Sequence, residues 1–542
     1  MRLDDTENAG LTIFDKEGNI PAGFYFFYAK AGFGKTLAEE GFNEEFQKNG
    51  FTIICLSDVK DIWENAFAMF LPKKEYHLSR LKKDGTAPST KKVLLYHPYT
   101  NNIPAGNIPK INFYGLALKD LGRQEFAMIS ESEWESETTR LLIDSANSIN
   151  DSTGLHGFLH FIEEKISGKK QGEKLKRDWK NFGLRTTGGT AKSLVEVASF
   201  FQNFKKDYFL VPENLCPVKK LDWKKIIDDN EHYHIFSTKW IKDKKVKEFC
   251  IMALLNQIIE FQKNEKKSRK PILVYIPEIR YLTPLRPKGY KLFLADAIKQ
   301  SLSIMRSLSV SFIGDSQVMS DVDDNVKNSA TFTFFGELGG AKDYENITKS
   351  LKSSKEQSEQ LLKMDVHELS KPSFLIQGEF KRGLFTPKFP SHCHAEEGIT
   401  FEEMYREHNR KDPEKYPMQS YGSLKKEMKN HFESEEAKIR EKARREEKAE
   451  REAEEKKKRE KEERKNQSEK PKSEKKEKAE DKNKEALMKI AYETFNDSSL
   501  SKEQRTYRAI GKKIGKTHST AKGYIEDYEK RKVLQMQTDV PI

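Results

Sequence analysis

The chain has 542 residues, a formal net charge of +12 and a pI near 9.0, a length that allows roughly two to four domains at about 150 residues each. Its four cysteines, Cys55, Cys216, Cys250 and Cys393, show no paired spacing, which excludes a disulfide framework and indicates a reducing, cytoplasmic setting. No apolar run approaches the roughly 20 residues needed to cross a bilayer, and residues 1–10 are acidic and polar, unlike a signal peptide. The basic balance suits a polyanionic partner without identifying one.

Residues 24–28, FYFFY, are an apolar aromatic run that reads as a buried strand. The run leads straight into Ala29-Lys30-Ala31-Gly32-Phe33-Gly34-Lys35-Thr36, and residues 37–46 then have helical spacing. Strand, glycine-containing loop and helix in that order predict a phosphate loop. Gly32 and Gly34 let the backbone take positive φ, so that successive N–H groups turn towards a triphosphate at the positive end of the new helix. Lys35 would reach the β and γ phosphates of ATP, and Thr36 would place its hydroxyl on magnesium. The first position is Ala29 where glycine is usual. A glycine turn that binds nothing is the alternative, and the strand-to-helix junction argues against it.

Residues 51–56 form a second buried strand and residues 93–96 a third, after a lysine-rich loop. The alternation of strand, helix and strand predicts a parallel sheet with right-handed crossovers. From 116 to about 166 the pattern turns helical, with Leu141, Leu142, Ala146 and Ile149 on one face and Leu155, Phe158, Leu159 and Ile162 on another, so an inserted helical subdomain is expected over about 116–230. Residues 168–189, rich in lysine and glycine, are either a phosphate-contacting loop or a solvated surface.

The sheet resumes at 233–236, and a helix over 245–263 carries the chain to the apolar run 271–276. At its tip stand Pro277 and Glu278. Hydrolysing P-loop enzymes place an aspartate and a glutamate there: the aspartate holds magnesium through water, and the glutamate orients or deprotonates the attacking water. Here only the glutamate remains, so Glu278 is the candidate base, with a surface carboxylate as the alternative, and Pro277 weakens the expectation of turnover. A helix over 292–308 feeds a strand over 310–317 that ends in polar groups, where Gln317 is positioned to sense the γ-phosphate. Arg306 is either a cation for a nucleotide on an adjacent subunit or an ordinary helix-end cation. Residues 331–335 and 373–377 supply two further strands. The fold class expected is α/β, a RecA-like P-loop NTPase sheet.

Four stretches, AGFGKT, IICLSDVKDIW, ILVYIPE and MRSLSVSFIGDSQVMSDVDDNVKNSATFTFF, together resemble the HerA/FtsK superfamily of P-loop ATPases over residues 12 to about 390. The last is the most specific, because it combines a glutamine at a strand end, a short aspartate-containing loop and the next strand. The resemblance implies an ATP- and magnesium-dependent ATP hydrolase that assembles as a homo-hexameric ring and translocates or packages double-stranded DNA. It also implies partners of the nuclease, portal or relaxosome type. Conjugative coupling members usually add a membrane anchor, and the lack of an apolar span shifts the expectation towards packaging or segregation. The alternative is a nucleotide-gated DNA-binding or scaffolding protein with little hydrolysis, which Pro277 favours.

The domain plan expected is an ATPase domain over 1–390, a polar connector over 391–423, a charged helix and disordered linker over 424–484, and a small all-α domain over 485–542. His392-Cys393-His394 does not close a tetrahedral metal site by itself. Within 424–465, Glu436 and Arg440, Glu441 and Arg445, Glu447 and Arg451, Glu452 and Lys456, and Glu460 and Arg464 stand four apart in the favourable order. Apolar residues are too few for a coiled-coil seam, so a solvated single helix is expected, ended by Pro471. Residues 486–495, 503–514 and 519–531 then form three helices, with Ile510, Ile514, Ala521, Ile525 and Tyr528 sharing a core and a turn at 515–518. That spacing resembles a helix-turn-helix module, whose recognition helix would present Thr517, His518, Ser519, Thr520 and Lys522 to DNA. A protein-docking bundle is the alternative.

Overall fold

The computed structural model describes residues 20–57, 70–117, 120–131, 217–265, 269–337, 374–378, 382–385, 387–392 and 401–538, with 139, 143 and 345. The helical insertion over 132–216, the 168–189 loop, the second half of IICLSDVKDIW and Cys393 lie outside these residues. The described residues divide into two compact units between Ile439 and Arg440.

The first unit is built on a sheet of ten strands in the order β11-β10-β9-β1-β8-β7-β2-β6-β3-β5. In chain order its strands are β1 (Phe24–Tyr28), β2 (Thr52–Ser57), β3 (Lys92–Pro98), then β5 (Asn112–Tyr114) after the short β4 (Ile108–Pro109). They continue as β6 (His232–Ser237), β7 (Ile272–Ile276), β8 (Val310–Ser316), β9 (Phe332–Phe335), β10 (Phe374–Gly378) and β11 (Arg382–Phe385). All pairings are parallel except those of β10 with β9 and β11. The central strands carry continuous apolar runs because both faces of a parallel sheet are covered.

β1 shows how the covering works. Its side chains alternate between faces with period two: Phe24, Phe26 and Tyr28 enter one hydrophobic cluster, Tyr25 and Phe27 the other. On the second face Phe27 stacks on Phe334 at 4.3 Å and meets Phe42 edge-on at 5.3 Å. Phe42 belongs to helix α1 (Lys35–Lys48), which buries Ala38, Phe42 and Phe46 against that face. Helix α2 (Glu75–Lys83) adds Leu81 to a small cluster with Leu37 and Phe389. The opposite face is covered by α3 (Arg123–Ser130), α4 (Trp223–Asp228), α5 (Lys244–Asn264) and α6 (Tyr290–Ile304), with the short α7 (Asp324–Asn328) beside them. Helices on both faces of a mostly parallel sheet, with a phosphate loop after the first strand, define the chain as an α/β P-loop NTPase fold.

Residues 401–428, most of which the polar composition marks as connector, pack onto the sheet. Helix α8 (Phe401–Lys411) inserts Met404 and Tyr405 into the α1-face cluster, and β12 (Met418–Gln419) pairs with β4. Tyr421 donates its hydroxyl to the Ile111 carbonyl at 3.0 Å and accepts the Ile111 N–H at 2.7 Å. Few residues of this stretch are apolar, but those few fall on one side.

Helix α9 (Gly422–Asn496) begins by burying Met428 and then crosses into the second unit. It continues through Pro471, where the sequence predicts its end and a disordered linker. A proline removes a single N–H and clashes with one preceding carbonyl, costing about 3 kcal/mol, and the helix-forming Glu and Lys on either side carry the helix past it. Of the expected charge pairs, Glu441 and Arg445 stand 2.5 Å apart.

The second unit closes with α10 (Tyr507–Lys513) and α11 (His518–Thr538). Ile510, Ile514, Ala521 and Ile525 are buried together with Ala491 of α9, and Tyr528 packs at 5.2 Å from Tyr492. Two glycines make the turn. Gly515 has φ +67, and a Cβ on Gly511 would fall 2.8 Å from the Lys516 carbonyl oxygen, so the second glycine lets the two helices approach.

Candidate nucleotide site

The site lies at the C-terminal ends of the parallel strands, beside β1. The chain leaves β1 towards β2 on one side, and later passes from β8 to β9 across it. Such a reversal opens a crevice at the strand ends, where α/β folds hold ligands.

Residues 29–34 fill that crevice with backbone. Gly32 and Gly34 have φ of +81 and +95, conformations that cost an L side chain but not glycine. Gly34 is the N-cap of α1, offering no side-chain cap, and no acidic residue occupies the first turn, so the helix start presents its N–H groups to an anion. The loop is clamped from β9. The Gly336 N–H donates to the Tyr28 carbonyl at 2.6 Å, and the Lys30 N–H donates to the Glu337 carbonyl at 2.7 Å. The Lys30 ammonium also pairs with the Glu337 carboxylate. Phe33, which the motif places among the nucleotide-binding residues, has a buried side chain that meets Phe374 edge-on at 5.1 Å. Ala29 is buried against Gly336, where any Cβ would lie 2.6 Å from the Ala29 methyl. The unusual first residue of the motif therefore fills a space that a glycine on the neighbouring strand leaves open.

Lys35 is 6% exposed; its ammonium donates to the Ala29 carbonyl at 2.7 Å and stands 3.9 Å from the Asp315 carboxylate. Asp315 is 2% exposed on β8 and accepts the backbone N–H of Glu278 through its other oxygen. Glu278 follows β7 and Pro277 with φ +50, a left-handed conformation uncommon for a non-glycine residue. Its carboxylate is buried, accepts from the Gln317 amide at 2.5 Å, and ion-pairs with the Arg280 guanidinium at 3.1 Å. Arg280 also lies 3.8 Å from Asp321. A carboxylate held by an amide on one side and a guanidinium on the other has one fixed orientation, as a group that aligns a water must.

Of the sequence candidates, Lys35, Glu278 and Gln317 thus converge, linked through Asp315. Arg306 does not join them. It precedes β8, at the end of the sheet opposite the loop, where its guanidinium donates to the Thr331 hydroxyl at 3.2 Å. There it helps line a cleft of about 1170 Å³ with Lys327, Asp321 and Gln377. In the second unit, Thr517 caps α11 by accepting the Thr520 N–H at 3.3 Å, and Lys522 faces Glu526 at 3.8 Å. Asp315 and Arg280 were missed by sequence reasoning. Asp315 carries a signal in the sequence: it is the one acid in the 310–317 run, two residues from Ile313 and two from Gln317, and so on one face with both.

Two side chains beside the loop are suited to magnesium. Thr36 and Asp315 offer a hydroxyl and a carboxylate, hard oxygen donors suited to that ion. Among the described residues no group of three or more His, Cys, Asp or Glu could hold a metal, so phosphate oxygens and water would have to complete its shell. Among the described residues no helix is long and apolar enough to cross a membrane.

No protein-family model matches the sequence, and no curated protein matches it. Solved structures that resemble it include VirB4 of Thermoanaerobacter pseudethanolicus, 12% identical, spanning 72% of this chain and 94% of that one with a TM-score of 0.43. The plasmid coupling protein TrwB in complex with the non-hydrolysable GTP analogue GDPNP is 13% identical over 70% of this chain and 88% of its own, with a TM-score of 0.45. The genome packaging NTPase B204 from Sulfolobus turreted icosahedral virus 2, in complex with AMPPCP, is 16% identical over 29% of this chain and 68% of its own, with a TM-score of 0.22.

Proposed function

We propose that the chain is an ATP-driven motor of the HerA/FtsK type that translocates or packages double-stranded DNA as a ring. The observation that carries this reading is the convergence of Lys35 with the Glu278–Gln317 pair on the two sides of β8. In the proposed reaction Lys35, the loop N–H groups and Thr36 hold the triphosphate with magnesium. Glu278, aimed by Gln317 and Arg280, orients the attacking water and takes its proton. Gln317 joins the base to the γ-phosphate position. Arg306, remote from its own loop, serves a neighbouring subunit's nucleotide in the ring. The α10–α11 module contacts DNA through Thr517, His518, Ser519, Thr520 and Lys522, and the net charge of +12 favours that contact.

Pro277 supports a second reading, a nucleotide-gated DNA-binding protein with little turnover. ATP hydrolysis by the purified chain, with and without double-stranded DNA and beside a Lys35→Ala control, separates the two. Stimulation by DNA that vanishes in the control supports the motor. Lys35-dependent binding without turnover overturns it in favour of the gated binder.

A further inference from the structure

Pro277 removes a carboxylate from the end of β7, yet a carboxylate stands beside that position. β7 and β8 pair in parallel with Tyr275 opposite Ile313 and Ile276 opposite Gly314, so Asp315 is the lateral neighbour of residue 277. β8 lies between β7 and β1, which puts Asp315 one strand spacing, about 4.8 Å, nearer the phosphate loop. The face is also right. Tyr275 and Ile313 belong to the cluster under α1, and strand alternation turns Asp315 to that same face, where its carboxylate meets Lys35 at 3.9 Å.

We propose that Asp315 replaces the aspartate absent at position 277: it is the carboxylate that would orient the water shell of a magnesium ion held beside the phosphate loop with Thr36. This rests on the nucleotide-binding half of the function proposed above, not on turnover or DNA transport. A buried aspartate is costly unless it meets a cation or donors, and here it meets both, Lys35 and the Glu278 N–H. The second contact couples the two ends of the site. The oxygen that holds the Glu278 backbone in its left-handed turn belongs to the same carboxylate as the oxygen facing Lys35, so Asp315 positions the base while it faces the phosphates. An aspartate added on β7 would reach the same space from the next strand.

The test is the affinity of the full-length chain for a fluorescent ATP analogue, measured with magnesium and with EDTA. Asp315→Asn keeps an oxygen to accept the Glu278 N–H but loses the charge. The expected result is that the gain in affinity conferred by magnesium falls about 10- to 100-fold, the range for partners that act through a metal's outer shell, while affinity in EDTA does not weaken. Adding Pro277→Asp to Asp315→Asn restores the magnesium gain. Equal weakening in both media without rescue would make Asp315 a structural residue and overturn the proposal, as would an unchanged magnesium gain. Failure of the unsubstituted chain to bind the analogue through Lys35 would overturn this proposal and the nucleotide reading together. Magnesium-dependent binding without hydrolysis would leave this proposal standing and remove only the motor.

Discussion

Gly336 should be as necessary to nucleotide binding as a residue of the phosphate loop, although it lies more than 300 residues away in the chain, just after β9. A Cβ built there falls inside van der Waals contact with the Phe33 ring and 2.6 Å from the Ala29 methyl. Ordinary contact begins near 3.4 Å, so the Ala29 methyl would have to retreat by about 0.8 Å and the Phe33 ring by more. It has nowhere to go: Phe33 is blocked by Phe374, and the Gly336 and Lys30 N–H groups tie both chains together. Overpacking of this kind costs about 1–3 kcal/mol. If the loop opens locally to relieve it, the cost appears in binding as roughly a 5- to 150-fold loss of ATP affinity. The assay is titration of Gly336→Ala with a fluorescent ATP analogue, beside its urea unfolding curve. Ala29→Gly in the same chain removes one of the clashing methyls and should recover part of the loss. Unchanged affinity and unchanged unfolding in Gly336→Ala would refute the clamp.

His97 should make stability fall with pH. It is fully buried, accepts the Trp240 N–H at Nε2 (3.1 Å) and donates from Nδ1 to the Pro98 carbonyl (2.6 Å). Burial pushes its pKa down to about 3; the Pro98 hydrogen bond opposes that and Lys247 adds to it. A depressed folded pKa means that the unfolded chain binds the extra proton, so the contribution is complete above pH 6.5 and is lost as pH falls from 6.5 towards 3, at about 1.4 kcal/mol per unit. Urea unfolding between pH 6 and 4 should show a smaller slope in His97→Gln, and an equal slope would contradict the assignment. In the second unit, Thr506 caps α10 by accepting the Ala509 N–H, and Thr506→Ala should cost about 1 kcal/mol. Hydrogen exchange of α10 amides in the full chain reads that loss, and ATP affinity should not change.

Whatever is contiguous in this chain can be read from its residues directly. Strand, loop and helix over residues 24–48 are legible because a phosphate loop is a local structure: the apolar run, the two glycines and Lys35–Thr36 all act through neighbouring backbone. The small core of Ile510, Ile514, Ala521 and Ile525 is legible for the same reason, since helical periodicity puts those residues on facing sides. The register between strands is a different matter. That Asp315 stands beside Pro277, that Gly336 leaves room for Ala29 and Phe33, and that Arg306 stands at the far end of the sheet all depend on β8 and β9 flanking β1, which chain order does not state. Residues 401–428 escaped for a related reason. Their Met404, Tyr405, Tyr421 and Met428 are too sparse to look like core, and become core only where the α1 face of the sheet offers them a surface to cover. Pairing between distant segments is paid for by burial across the whole sheet, so the arrangement of the site, unlike its parts list, was decided by the tertiary structure alone.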